Sequence, residues 1–324
     1  MRRIIQFIKE WTLPVSIATG SLLYLVFAFI PALDDAANFF APILDAALPL
    51  FMFLVLYVTF CKVDFRKLIP VGWHLWIALS QVLMVAVVIG AILFFHVTGK
   101  SLILLEALLT CIICPCASAA AVVTQKLGGN LEEMTTYTFL SNFLCALLIP
   151  VCFPLLDAEA DITFWSAFVA ILYKVCLVLV VPMILAYITK HWHTLFRFYQ
   201  WVISMNNLSY YLWGCSLLIV SGTTVKNIVH AEVAVSFLLL IAILALVLCL
   251  IQFAMGKYIG HFFRSTINAG QALGQKNTAF AIWIAYTYLN PLSTVGPGCY
   301  ILWQNIINSV EIWRYDHAIK RKNK

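Results

Sequence analysis

The chain has 324 residues, 63% of them hydrophobic and only 10% charged, with a formal net charge of +6. No single soluble domain of this length could bury so much apolar surface, and the mean hydropathy is +0.97. Composition therefore excludes a water-soluble enzyme or binding module and points to an all-α polytopic membrane protein.

With about 20 apolar residues as the length of one span, the chain reads as ten spans: 13–30, 39–61, 71–97, 102–127, 131–156, 163–189, 198–222, 231–256, 268–289 and 292–313. Met1-Arg2-Arg3 leads into the first with no small-residue cleavage site, so it reads as a span and not a removable signal. Of the 20 lysines and arginines, all but four fall in loops on the side of the N-terminus; Lys100 and Lys226 lie outside, Lys174 and Lys276 within spans. Acidic pairs and triplets, Asp34 with Asp35 and Asp157 with Glu159 and Asp161, fall on the opposite side. Both termini are thus expected in the cytoplasm, in a plasma membrane or, for a bacterium, the cell inner membrane.

Trp11, Trp73, Trp76, Trp165, Trp192, Trp201 and Trp313 stand near predicted span ends, where an indole prefers the headgroup layer. The positive balance reflects this orientation and calls for no nucleic acid, although the basic C-terminal tail could touch anionic lipid. Most of the ten cysteines sit inside spans as small hydrophobes, so no structural disulfide is expected. The cluster Cys111, Cys114, Cys116 lacks a histidine or second cysteine pair and reads as packing, not as a metal site.

Ten spans divide into five and five, and an odd number per half requires that any relation between the halves be an inverted one. The fourth span of each half is interrupted. Cys114-Pro115-Cys116-Ala117-Ser118 breaks the first, because proline lacks a backbone donor and clashes with the preceding turn. Gly274-Gln275-Lys276-Asn277-Thr278 breaks the second with a polar run that lipid would not tolerate. Paired interruptions mark a transporter's binding site. Lys276 is the sharpest feature, since a lysine at membrane depth costs about 2.5–3.5 kcal/mol. A structural ammonium needs a buried acidic partner, and none stands out in the core spans. Lys174 and Asp45 read as a structural pair or as cavity-lining groups, and Gly270 with Gly274 as helix packing. His191 and His193 read as solvated loop residues.

These residues resemble a known family. CPCASAAAVVTQKLGGN at 114–130, GQKNTAFA at 274–281 and PGCYILWQN at 297–305 resemble the two crossing motifs and the last span of the bile acid:sodium symporter family. The resemblance implies two inverted five-helix repeats, 1–160 and 161–324, with helices 4 and 9 broken and crossing. It also implies a core domain of helices 3–5 and 8–10, moving against a panel of helices 1, 2, 6 and 7. Substrate contacts carried over from it are Ser118, Asn277, Thr278, Gln304 and Asn305, beside Lys276.

The cation site departs from the pattern. A Ser-Asn pair becomes Ala120 and Ala121, a serine becomes Met134, a glutamate becomes Ala272 and a glutamine becomes Lys276; only Gln81 and Thr138 remain of the usual side-chain ligands. Sodium needs several oxygens to replace its water, so no sodium coupling is expected. The Lys276 ammonium is expected in the cation's place, satisfied by Thr138, Gln81 and free carbonyls.

The chain is accordingly expected to be a secondary transporter of a small organic anion, bile-acid-like or a small carboxylate, working by alternating access without sodium, cofactor or metal. Alternatives are a proton-coupled transporter in which Lys276 gains and loses a proton each cycle, and a ligand sensor with the transporter fold. A membrane-embedded enzyme is the weakest reading, because no His-Glu-x-x-His or Gly-x-Ser-x-Gly motif occurs.

Overall fold

The computed structural model describes residues 11–156, 164–205, 207–230 and 233–322, which are almost wholly helical. Fourteen α-helices follow in order: α1 Thr12–Phe29, α2 Asp34–Lys62, α3 Gly72–Phe94, α4 Gly99–Ile113, α5 Ala120–Lys126, α6 Leu131–Cys152 and α7 Phe164–Val175. They continue with α8 Val181–His191, α9 Phe196–Ser204, α10 Leu208–Val229, α11 Val235–Phe262, α12 Thr266–Gly274, α13 Thr278–Tyr288 and α14 Val295–Lys322.

Six of the described helical stretches, α1, α2, α3, α6 (extended to Leu155), α10 and α11, are long and apolar enough to cross a membrane. The fourth and ninth predicted spans are each two short helices, α4 with α5 and α12 with α13. The sixth is α7 and α8 joined by a π-helical turn, Cys176–Val180. Pro182, in the first turn of α8, has no N–H to return to the turn before it, which accounts for the wider winding there. The tenth predicted span lies mostly within the single long helix α14, whose second half carries Glu311, Arg314 and Asp316.

The seventh predicted span began too early. Residues 196–204 form the separate short helix α9, and the long helix starts only at Leu208. The aromatic run there imitates a span entrance.

The chain forms two compact units. One comprises residues up to Val63, Val180–His230 and the chain from Asn305 onward. In it α1 packs against α10, and α2 against α8 and α10. Gly20 meets the Leu218 backbone directly, a contact that any Cβ would block, so these helices cross backbone to backbone. Tyr57 of α2 donates to the Thr189 hydroxyl of α8 at 2.9 Å. Lys174 and Asp45 have side chains outside the described set, as do all atoms of Asp157, Glu159, Asp161 and the first ten residues.

The other unit comprises Asp64–Leu179 and Ala231–Gln304. Its core packs Val85 and Ile89 of α3, Leu109 and Ile113 of α4, Cys145 and Ile149 of α6, and Phe280 and Ile284 of α13. The helices α11 and α12 form a tight antiparallel pair. Gly274 faces the Phe253 ring so closely that a Cβ would enter it, and one at Gly270 would lie 2.7 Å from the Lys257 side chain. The packing role of these two glycines follows from that geometry.

Trp73 differs from the expectation. Its ring is buried and its Nε1 donates to Glu133 at 2.8 Å, so it belongs to the protein interior, whereas Trp76, Trp165, Trp192 and Trp201 are exposed.

Candidate functional site

The two interruptions lie against each other in the second unit. After Ile113 the chain leaves α4 in an extended conformation at Cys114, as the residue before a proline should. After Gly274 it leaves α12 extended at Gln275. The two extended stretches pair antiparallel as an isolated β-bridge between Cys116 and Lys276. Ala117 N–H donates to the Gln275 carbonyl and Asn277 N–H to the Pro115 carbonyl, both at 2.9 Å. Each break thereby satisfies backbone groups that lipid could not. The Ser141 hydroxyl of α6 accepts from Cys116 N–H at 3.2 Å.

The Lys276 side chain is 1% exposed and points at the carbonyl end of the other broken helix. Its ammonium donates to the carbonyls of Ile112 at 3.1 Å and Cys114 at 3.3 Å. Gln81 Nε2 of α3 shares the same cluster, donating to Ile112, Ile113 and Cys114 at 3.0, 3.0 and 3.1 Å. The Cys145 thiol donates to the Ile113 carbonyl at 2.8 Å. These last carbonyls of α4 have no helical partner and carry the negative end of its dipole, roughly half a charge. A cation with three donors suits them.

The expected neighbours of Lys276 are partly corrected. Gln81 is at the cluster but donates beside the ammonium. Thr138 spends its hydroxyl on the Met134 carbonyl one turn back, at 3.0 Å. Ala120, Ala121, Met134 and Ala272 are buried and bring no side-chain oxygen. One carboxylate was overlooked: Glu106 of α4 is buried, but it accepts from the Ser293 hydroxyl at 2.7 Å and from Asn290 N–H at 3.3 Å. The Lys276 ammonium donates to backbone carbonyls. Among the described residues no group of three or more His, Cys, Asp or Glu could hold a metal ion.

Gln304 reads the backbone of Lys276 from both sides. Its Oε1 accepts from Lys276 N–H at 2.8 Å and its Nε2 donates to the Lys276 carbonyl at 3.1 Å, as a neighbouring strand would. Tyr300 on the same helix donates its hydroxyl to the Gly274 carbonyl, the end of α12, at 2.8 Å, and receives a bond from Gln252 Nε2 at 3.0 Å. Asn277 caps α13, its side-chain oxygen accepting from Phe280 N–H at 3.1 Å. Ser118 opens the turn before α5 and Thr278 opens α13; both are buried. Asn305, next after Gln304, is buried and falls in the first unit.

Sequence reasoning missed Ser141 and Cys145. With Thr138 they recur at helical spacing along α6, a stripe that marks the face toward the break.

No characterised protein matches this chain. The model of the SBF-like CPA transporter family matches residues 50–297, a stretch that contains both interruptions and the lysine between them. Two mutually paired breaks in membrane helices and a family match over most of the chain lead to one assignment: the chain belongs to the SBF-like CPA transporter family, a bile acid:sodium symporter-like family.

Proposed function

We propose that this protein is a sodium-independent secondary transporter of small organic anions, working by alternating access. One observation carries the reading: Lys276 Nζ bonds the Ile112 and Cys114 carbonyls, in the region where the sodium-coupled members resembled above hold a cation. Sodium does not fit these residues. The carbonyls already serve Lys276 and Gln81, and Ala120, Ala121, Met134 and Ala272 offer no oxygen. An internal ammonium does the electrostatic work without a dissolved ion.

An anion is the matching cargo. The ammonium is spent on carbonyls, so it acts on a carboxylate through its field, while Ser118, Asn277, Thr278, Gln304 and Asn305 supply the expected contacts. The Ser118 and Thr278 hydroxyls are not committed to any bond among the described residues. The Gln304 amide is committed to Lys276, which leaves it a scaffold in this conformation.

The same reading takes the chain as ten spans in two inverted repeats, 1–160 and 161–324, with cytoplasmic termini, in the plasma membrane or a bacterial inner membrane. Supporting it, spans three to five group with eight, nine and the first halves of six and ten in one compact unit, and spans one, two and seven group with the second halves of six and ten in the other.

Counterflow of labelled carboxylates or bile-acid-like anions in proteoliposomes tests it. Exchange indifferent to sodium and to a pH gradient is expected. Uptake that requires sodium refutes the substitution, uptake driven by a pH gradient favours a proton cycle at Lys276, and binding without uptake favours a sensor.

A further inference from the structure

The helix α9 does not belong to the spans. Its nine residues reach only about 13 Å, far short of the roughly 30 Å of hydrocarbon. It packs on α2 and α8 and buries only Val202. At about 100° per residue, Arg197, Gln200 and Ser204 share one arc, opposite Val202. Phe198 and Trp201 flank that arc on one side and Phe196 on the other, and all three are exposed, Trp201 at 59%. Trp192, just before the helix, is 61% exposed.

Cations surround these rings. Lys190 Nζ reaches the Val63 carbonyl at the end of α2 at 3.4 Å, and Lys62 Nζ the Met205 carbonyl just beyond α9 at 3.5 Å. His191, His193 and Arg197 are exposed. No acidic residue occurs anywhere in 162–231. An aromatic, basic, acid-free helix too short to cross lies in the headgroup layer, with its rings at the acyl boundary and its cations among phosphates.

We propose that segment 190–204 is a binding surface for anionic phospholipid headgroups, with Trp192, Phe198 and Trp201 set into the acyl boundary and Lys190 and Arg197 on the phosphodiester. The solvated-loop reading of His191 and His193 gives way to a membrane-facing one. Which leaflet is engaged follows from the orientation proposed above, but the lipid chemistry does not depend on it. Charge complementarity selects the occupant: a neutral lipid would satisfy the rings and leave both cations unmatched.

The test is retention of phosphatidylglycerol against phosphatidylcholine by the full-length protein, read by native mass spectrometry from mixed-lipid nanodiscs. The wild type is expected to retain phosphatidylglycerol preferentially. Each removed cation should weaken that retention about fivefold, so Lys190→Gln with Arg197→Gln should lower it by more than tenfold while the circular-dichroism spectrum stays helical. Arg197→Gln alone, on the exposed arc, should cost about fivefold and serves if the double variant fails to fold. Trp201→Ala should lower retention of both lipids. Equal retention of the two lipids by the wild type, or unchanged preference in Arg197→Gln, overturns the proposal. Displacement of the bound lipid by excess inorganic phosphate overturns it in favour of a soluble-anion site. None of these readouts involves transport, so the lipid surface can fail while the transporter reading stands.

Discussion

Replacing Lys276 by methionine separates the two things its ammonium does. Its hydrogen bonds to the Ile112 and Cys114 carbonyls are charge-assisted and worth about 1.5–3 kcal/mol each. Against them stands the cost of burying an ammonium, several kcal/mol even after relaxation. The two nearly cancel. No carbonyl is orphaned, because Gln81 still donates to both. Methionine also nearly matches the volume, so Lys276→Met should fold with a Tm within about 5 °C of the wild type.

Binding should respond very differently. A unit charge about 8 Å from a carboxylate, at an effective dielectric constant of about 20, contributes about 2 kcal/mol, a factor of about 30 in Kd. Thermal stabilisation and isothermal titration with an anion library, on wild type and Lys276→Met in the same detergent, measure both quantities. An unchanged anion affinity in a well-folded variant would remove the electrostatic role of Lys276 from the account. A large loss of stability with intact affinity would make the ammonium a structural strut instead.

Other expectations follow from the same geometry. Gln304→Leu strands the Lys276 N–H, while the Lys276 carbonyl keeps the Thr278 N–H, and should cost about 1–3 kcal/mol, seen as a lowered denaturation midpoint, with transport falling in parallel. Ser141→Ala removes the acceptor of Cys116 N–H and should cost about 1–3 kcal/mol with little change in anion affinity, by thermal unfolding and titration. Gly274→Ala forces a methyl into the Phe253 ring and should destabilise by about 1–3 kcal/mol; Phe253→Leu in the same chain should restore part of it, as a double-mutant cycle would register.

The helical, membrane-spanning reading was legible because apolar length is written into composition. It failed at residues 196–204, where phenylalanine, tyrosine and tryptophan carry span-like hydropathy on a helix that ends before Met205. The two breaks were legible from Pro115 and from the polar run around Lys276. That they pair through Cys116 and Lys276 was not, because β-bridge register depends on the helices around it and no local pattern encodes it. The direction of the lysine side chain was only half legible. Carbonyls were anticipated as its partners, but Thr138 was assigned to them when its hydroxyl bonds its own helix, as threonine commonly does in membranes. Gln304 was a ligand contact only through the family resemblance, and sequence does not reveal that its amide bonds backbone.

The bridge between Cys116 and Lys276 binds the fates of two distant stretches of chain. Neither interruption can rewind into continuous helix without stranding donors or acceptors of the other, since Ala117 and Asn277 each donate across the junction. The pair must travel as one body, open or shut together. A lesion placed in residues 114–118 should therefore be felt, in hydrogen exchange, at 274–278 as strongly as at its own position.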